Sequence, residues 1–150
     1  MSRIDFYHLQ RQTLDEVLPK LLLKAYGAGK NIVVKIGNPE RVEFINSLLW
    51  TFNDESFLPH GSKKDGFASA QPIWLTSEDE NPNGANFLFL VDGAALPEEE
   101  LTYERIFDIF DGNSAEALQQ ARELWKKYKD SDSEVYYWQQ NANGTWEQKA

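Results

Sequence analysis

Few side chains in this sequence of 150 residues could carry out chemistry. It has no cysteine, which excludes a thiolate nucleophile and a cysteine-based zinc site. His8 and His60 are its two histidines, and neither has a second ligand at metal-binding spacing, such as i, i+4 on a helix. Asp54 and Ser56 complete a set of triad residue types with His60, but the sharp turn that presents a catalytic serine is missing. We therefore predict no catalytic residues, no metal and no cofactor.

The segment Gly27-Ala28-Gly29-Lys30 is the part of the sequence most similar to a phosphate-binding loop. Such a loop needs its glycines after a strand and before a helix, so that backbone N–H groups and the helix dipole face the anion. Here the glycines follow a predicted helix and precede a predicted strand. That order is typical of a helix C-terminus, so we predict no phosphate loop.

The last predicted helix begins at a cap, Asn113 or Ser114, and carries an apolar stripe beside a basic one. The apolar stripe is Leu118, Ala121, Trp125 and Tyr128, and the basic stripe is Arg122, Lys126 and Lys129. In one interpretation the stripes are a core face and basic residues that complement the negative helix C-terminus. In the other they form a receptor for an acidic peptide with an apolar end, and Arg122 holds a carboxylate through two parallel hydrogen bonds.

Trp50 is a second unusual residue, on a helix predicted to begin at Pro39. The apolar side chains of that helix, Val42, Ile45, Leu49 and Phe52, share one face. At about 100° per residue, Trp50 lies roughly 140° away from that face. It either packs under a neighbouring loop or marks a protein contact, where tryptophan is enriched.

The net charge of −9 restricts the partners of this protein. Nucleic acids are polyanions, and proteins bind them through basic surfaces. With 24 acidic and 15 basic residues, the chain could do so only through a local patch, so we expect no direct nucleic-acid binding. No stretch approaches the roughly 20 apolar residues of a membrane helix, and no signal peptide is visible. We expect no membrane partner and a cytoplasmic location.

The elements that position these residues follow from periodicity. Strands are predicted at 4–9, 31–36, 72–75, 86–91 and 105–110, with a C-terminal hairpin of 135–138 and 145–147 around Asn143-Gly144. Helices are predicted from Thr13 to Gly27, with a regular start delayed to Pro19, and at 39–52 and 114–129. The segment 53–71 is predicted as a loop. This alternation predicts a single α/β domain over residues 1–150, with three layers, a mixed, largely parallel central sheet and helices on both faces.

Several segments resemble the chi subunit family of DNA polymerase III. They are Asp5-Phe6-Tyr7-His8-Leu9, Leu48-Leu49-Trp50, Ser56-Phe57-Leu58-Pro59-His60 and Ala121-Arg122-Glu123 with Trp125-Lys126 after it. The Ser-Phe-Leu-Pro-His block is the most specific of these, and the likeness spans nearly the whole chain in order. The resemblance implies a nucleotide-binding-like topology without a phosphate loop, in agreement with the order of elements around Gly27.

The resemblance also implies a function without an active site. Members of this family are adaptors of the clamp-loader complex in DNA replication, and they bind the psi subunit and the acidic C-terminal tail of single-stranded-DNA-binding protein, which ends in Pro-Phe. By matching motif the tail-binding residues are Arg122, Trp125, Lys126, Trp50, Phe57 and Phe110. Arg122 would grip the terminal carboxylate or an adjacent acid. A small nucleotide-binding hydrolase on the same topology is the alternative hypothesis.

Overall fold

Eight strands and three α-helices make up the computed structural model, which describes residues 3–10, 12–52, 58–96, 103–130, 133–141, 143 and 145–149. The strands are β1 (Arg3–Leu9), β2 (Ile32–Ile36), β3 (Gly61–Ser62), β4 (Ile73–Thr76), β5 (Phe87–Val91), β6 (Arg105–Asp111), β7 (Glu134–Gln140) and β8 (Trp146–Gln148). The helices are α1 (Leu14–Gly27), α2 (Val42–Thr51) and α3 (Ala115–Lys129), and short 3-10 turns lie at Pro39–Arg41 and Ala68–Ala70.

The strands form one sheet in the order β3-β4-β2-β5-β6-β1-β7-β8. Adjacent strands run parallel except at the β7–β8 hairpin, which is antiparallel. Helices α1 and α2 pack with one apolar cluster, which contains Leu18 and Leu49, and α3 packs with a second cluster, which contains Ala121. The predicted fold class, an α/β arrangement with a largely parallel sheet between helical layers, is confirmed.

The side chains of β1 show how the sheet separates the two helical layers. Successive residues of a strand point to opposite faces. Phe6 packs with the α3 cluster, whereas Tyr7 packs with the α1 and α2 cluster. Ile4 and His8 therefore share the α3 face with Phe6, and this alternation decides which aromatic rings lie beneath the last helix.

Helix α1 opens where predicted, but its regular part is not delayed to Pro19. It starts at Leu14, and Pro19 lies inside it and is buried. The backbone N–H of Thr13 donates to Glu16 Oε1 at 3.1 Å, as in a capping box. A proline inside a helix removes one backbone hydrogen bond, but the apolar stripe of α1 is packed on the sheet, and this burial holds the first turn in place.

The loop predicted at 53–71 contains an element that its sequence does not signal. Gly61 and Ser62 pair with β4 and form the edge strand β3. Two residues are too few for a periodic pattern, and polar contacts support the pairing: the backbone N–H of Ser62 donates to Asp65 Oδ2 at 2.9 Å. Residues 53–57 of this segment and the acidic run Glu98-Glu99-Glu100 lie outside the described residues.

A carboxylate lies inside the α1 face of the sheet. Asp5 is 0% exposed and accepts hydrogen bonds from Arg105 Nε at 2.6 Å and Trp138 Nε1 at 2.9 Å. Arg3 Nη2 forms a salt bridge with Asp5 Oδ1 at a distance of 3.1 Å. These partners come from β1, β6 and β7, so this one side chain connects three adjacent strands.

Candidate functional site

Helix α3 presents basic charge on one side of an acidic protein. Ser114 caps the helix, and its Oγ accepts from the backbone N–H of Ala117 at 3.2 Å. The sequence of α3 has four basic and two acidic side chains, in contrast to the chain as a whole. Ala121 is buried, while Leu118, Trp125 and Tyr128 pack against the same cluster, so the predicted apolar stripe is confirmed.

Aromatic rings form a continuous surface beneath the basic stripe. Trp125 contacts Phe6 edge-on, with ring centroids 6.0 Å apart, and Tyr137 of β7 at 5.8 Å. Tyr137 also lies 6.1 Å from Phe110 and 5.9 Å from His8. We call these five residues the aromatic floor. Trp125 and Tyr137 are partly exposed, whereas the other three are buried, so two rings are accessible to a ligand from solvent.

The rim of this floor is cationic. Arg122 and Lys126 are exposed, and Lys129 Nζ lies 5.1 Å above the Trp125 ring. None of the salt bridges among the described residues engages Arg122. Because no described carboxylate occupies the guanidinium, its five N–H donors are available to an incoming anion. Arg122, Trp125 and Lys126 are brought together with Phe110 in this part of the structure.

His8 and Tyr137 belong to the site, although the sequence analysis did not assign them to it. His8 Nδ1 lies 2.6 Å from the Tyr137 hydroxyl. Burial lowers the pKa of His8, the positive charge of Arg122 lowers it further, and Asp111 opposes both effects. Burial raises the pKa of Tyr137, and Arg122 opposes the rise. The alternation of β1 could have placed His8 beside Phe6, but nothing in the sequence indicated that β7 would pair with β1.

Trp50 lies on a different surface. The resemblance had implied that Trp50 and Arg122 share a pocket. They do not, because helix α2 packs on the face of the sheet opposite to α3. The reason is the order of the strands: α2 leads from β2 towards the β3 edge, whereas α3 crosses from β6 to β7. Phe57, expected near the same pocket, lies outside the described residues.

Trp50 is exposed but held in a fixed orientation. The residue is 49% exposed, and its ring contacts that of His60 in a tilted arrangement, with centroids 4.2 Å apart and an interplanar angle of 39°. His60 Nδ1 lies 2.6 Å from the carbonyl oxygen of Leu58, and Nε2 lies 2.9 Å from that of Asn46. Both ring nitrogens thus lie within hydrogen-bonding distance of backbone carbonyl oxygens, and these contacts anchor the imidazole. His60 is thus a structural residue that fixes an exposed tryptophan.

Two further aromatic residues are exposed, one in the first turn of α2 and one after β3. Phe44 of α2 is 49% exposed and lies beside Arg41, whose guanidinium carbon is 4.7 Å from the ring centroid. Phe67 follows β3, is 81% exposed and adopts a left-handed backbone conformation with φ of 56°. Such a conformation is unfavourable for a bulky residue. The α2 aromatic surface is defined here as the exposed Trp50 together with the His60 ring that it contacts.

An open cleft of about 1520 Å³ lies on the other side of α3, at the carboxyl ends of the central strands. Ligands of α/β proteins commonly bind at such a position. Its charged lining comprises five acidic residues, Asp92, Asp108, Asp111, Glu116 and Glu123, and two basic ones, Arg41 and Lys127. Burial raises the pKa of Asp108 to about 7. An acidic lining repels phosphates, so the cleft does not favour the nucleotide hydrolase hypothesis.

The described residues contain neither a metal-binding cluster nor a membrane-spanning helix. Within the described ranges no group of three or more metal-binding side chains comes together. Over the same ranges, each helix is too short or too polar to cross a bilayer.

The comparison with protein families identifies the chain. Residues 1–136 match the family described as DNA polymerase III chi subunit, HolC. The chain belongs to this family. It is also similar to the probable DNA polymerase III subunit chi of Rickettsia prowazekii (strain Madrid E), with 28% identity over 155 residues. That alignment covers 97% of this chain and 91% of the Rickettsia protein. As a chi subunit, the protein is an accessory part of the replicative polymerase, and its partners lie in the replication complex.

Proposed function

We propose that this chi subunit is a non-catalytic adaptor that links the psi subunit of the clamp loader to the acidic C-terminal tail of single-stranded-DNA-binding protein in the cytoplasm. The observation that carries the proposal is the exposed Arg122 above the aromatic floor, without a described carboxylate partner. A free guanidinium beside exposed rings matches a ligand that combines a carboxylate with an aromatic side chain.

In the tail site, each part of the ligand has a counterpart. Arg122 binds the terminal carboxylate, and Lys126 attracts the acidic residues that precede it. The terminal phenylalanine ring packs on the accessible faces of Trp125 and Tyr137, with the buried Phe110 supporting them. The negative charge of the whole protein repels an acidic peptide elsewhere, so the basic stripe of α3 also selects where the tail docks.

Tethering is the mechanism that such a site supports. A small contact of exposed charges and two partly exposed rings gives an affinity on the order of micromolar. Single-stranded DNA coated with its binding protein presents many tails, and their high effective concentration raises occupancy without new contacts. Because the charged part of the site faces solvent, added salt weakens each contact.

A direct test is calorimetric titration of the purified chain with a short acidic peptide that ends in Pro-Phe. We expect saturable binding, weakened about tenfold or more when the peptide C-terminus is amidated, because a charge-assisted hydrogen bond is lost. A second control peptide replaces its acidic residues by amides and keeps the free carboxylate. Equal affinity for the free and amidated peptides would show that the terminal carboxylate is not recognised.

The psi contact belongs on the opposite side of the molecule in this proposal. The α2 aromatic surface supports that placement, because it exposes a fixed tryptophan on the face of the sheet opposite to α3. An adaptor that holds two partners at once needs separate surfaces for them. Opposite faces of the sheet meet this requirement without competition between the two ligands.

Trp50→Ala tests this placement. Since tryptophan is a frequent interface hot spot worth about 2 kcal/mol or more, we expect psi to bind at least tenfold more weakly. The measurement is biolayer interferometry with psi, paired with tail-peptide calorimetry, in which affinity should stay within about twofold of the parent. Phe44→Ala, an equally exposed aromatic residue on the same helix, provides the matched variant. Loss of tail binding with intact psi binding would instead place Trp50 in the tail site.

A further inference from the structure

His8 is held firmly at the base of the candidate site. It is 8% exposed, and its Nδ1 pairs with the Tyr137 hydroxyl at 2.6 Å. Its other ring nitrogen, Nε2, is buried without a hydrogen-bond partner among the described residues. The ring also packs against Phe110, with centroids 5.2 Å apart. A buried polar atom without a hydrogen-bond partner lowers the stability of the fold, so its presence in a native structure calls for an explanation.

Gly112 creates the space that His8 occupies. A Cβ atom at position 112 would lie 1.9 Å from His8 Nε2 and 2.7 Å from the backbone oxygen of Leu9. Any residue larger than glycine would therefore displace the ring or the backbone. The imidazole lies between this glycine and the hydroxyl of Tyr137, so its position relative to β6 and β7 is constrained.

The charged and titratable groups that act on His8 come from three elements. Helix α3 contributes Arg122, whose positive charge disfavours protonation of the imidazole. The end of β6 contributes Asp111, which favours protonation. Strand β7 contributes the Tyr137 hydroxyl, which is bonded to Nδ1. Arg122 and Asp111 are both exposed, but Arg122 is the positive one, so its field is the one that an incoming anion can cancel.

We propose that His8 is a positioning residue of the tail site that takes up a proton when a carboxylate docks on Arg122. The inference rests on the proposed tail contact. The docked carboxylate neutralises the charge that opposes protonation, and the imidazolium then adds a second positive charge near the bound anion. In the same position His8 holds the Tyr137 hydroxyl, which fixes one ring of the floor on which the apolar end of the ligand packs.

The direction of the pH effect follows from linkage. In the free protein the pKa of His8 is lowered by burial and by Arg122, and removal of the second effect raises it in the complex. A complex that binds more protons than its components becomes tighter as pH falls through the His8 titration.

Two measurements test the proposal on the full chain. The first follows the two histidine Cε1 resonances by NMR against pH, with His8 assigned from the His8→Leu variant. In the free protein, Arg122→Gln should raise the titration midpoint of His8. The second is calorimetry with the acidic peptide at pH 6 and pH 8, in buffers of different ionisation enthalpy, which reports proton uptake directly.

We expect fractional proton uptake and tighter binding at pH 6 than at pH 8 in the parent, by less than about threefold, and neither effect in His8→Leu. Peptide binding without uptake, or with uptake retained in His8→Leu, overturns the inference and leaves the tail contact standing. An unchanged His8 midpoint in Arg122→Gln also overturns it, independently of any peptide. Failure of the peptide to bind at either pH overturns both the tail contact and the inference that depends on it.

Discussion

Arg122→Glu should lower the affinity for the acidic tail peptide by about a hundredfold, the largest functional effect expected here. The substitution removes a charge-assisted hydrogen-bond donor and places a carboxylate opposite the carboxylate of the ligand. The fold should tolerate it, because Arg122 is exposed and engages no described salt bridge. Calorimetry at low salt measures the loss, and near-ultraviolet circular dichroism verifies that the aromatic floor keeps its packing.

Lys127→Glu is the matched control for this charge reversal. It makes the same change of charge on the same helix, but Lys127 lines the acidic cleft on the other side of α3. Its effect should be limited to long-range electrostatics, less than about threefold and removed by salt. Similar losses for both variants would mean that the peptide responds to net charge, and that Arg122 provides no specific contact. Psi binding should be unaffected by either variant.

Asp5→Ala should destabilise the fold by about 3–5 kcal/mol, the largest effect on stability that we expect. The carboxylate is fully buried, and its removal leaves Arg3, Arg105 and the Trp138 indole N–H without their acceptor. Loss of the carboxylate costs more than the ion pairs contribute, because the Trp138 N–H and the two partly exposed guanidinium groups are left without their acceptor. Urea unfolding followed by tryptophan fluorescence gives the change in free energy.

Two further variants keep this prediction testable if Asp5→Ala does not fold. Asp5→Asn retains an acceptor for Trp138 and should lose less stability than the alanine variant. Lys149→Ala removes the exposed ion pair with Glu147 and should change stability by less than about 1 kcal/mol. A loss below about 1 kcal/mol for Asp5→Ala would contradict the assignment of Asp5 as the link between three strands.

Periodicity predicted most of the elements in this fold, because each depends on contacts close in sequence. The β-branched run of β2 and the continuous apolar run of β5 are buried strands, as predicted. Ser114, one of the two proposed caps, begins α3. Pro19 misled the prediction of α1, since local propensity argued against a helix start that packing on the sheet stabilises.

The candidate site was only partly predictable. Arg122, Trp125 and Lys126 lie on one helix, so their grouping follows from helical spacing. His8 and Tyr137 belong to the site only because β1 pairs with β7, and these two strands are far apart in the chain. The separation of Trp50 from Arg122 depends on which face of the sheet each helix covers, and helical spacing within α2 carries no information about that.

By itself, the amino-acid sequence determined the type of each main element, the basic and apolar stripes of α3, the lack of a phosphate loop at Gly27 and the likeness to the chi family. These features depend on residue type and on spacing within single elements. Tertiary structure alone decided the strand order, the burial of Asp5 and His8, and the placement of Arg122 and Trp50 on opposite faces. The physical reason is that parallel strands are joined by long crossovers, so contacts between them are set by packing of the whole sheet and not by neighbouring residues.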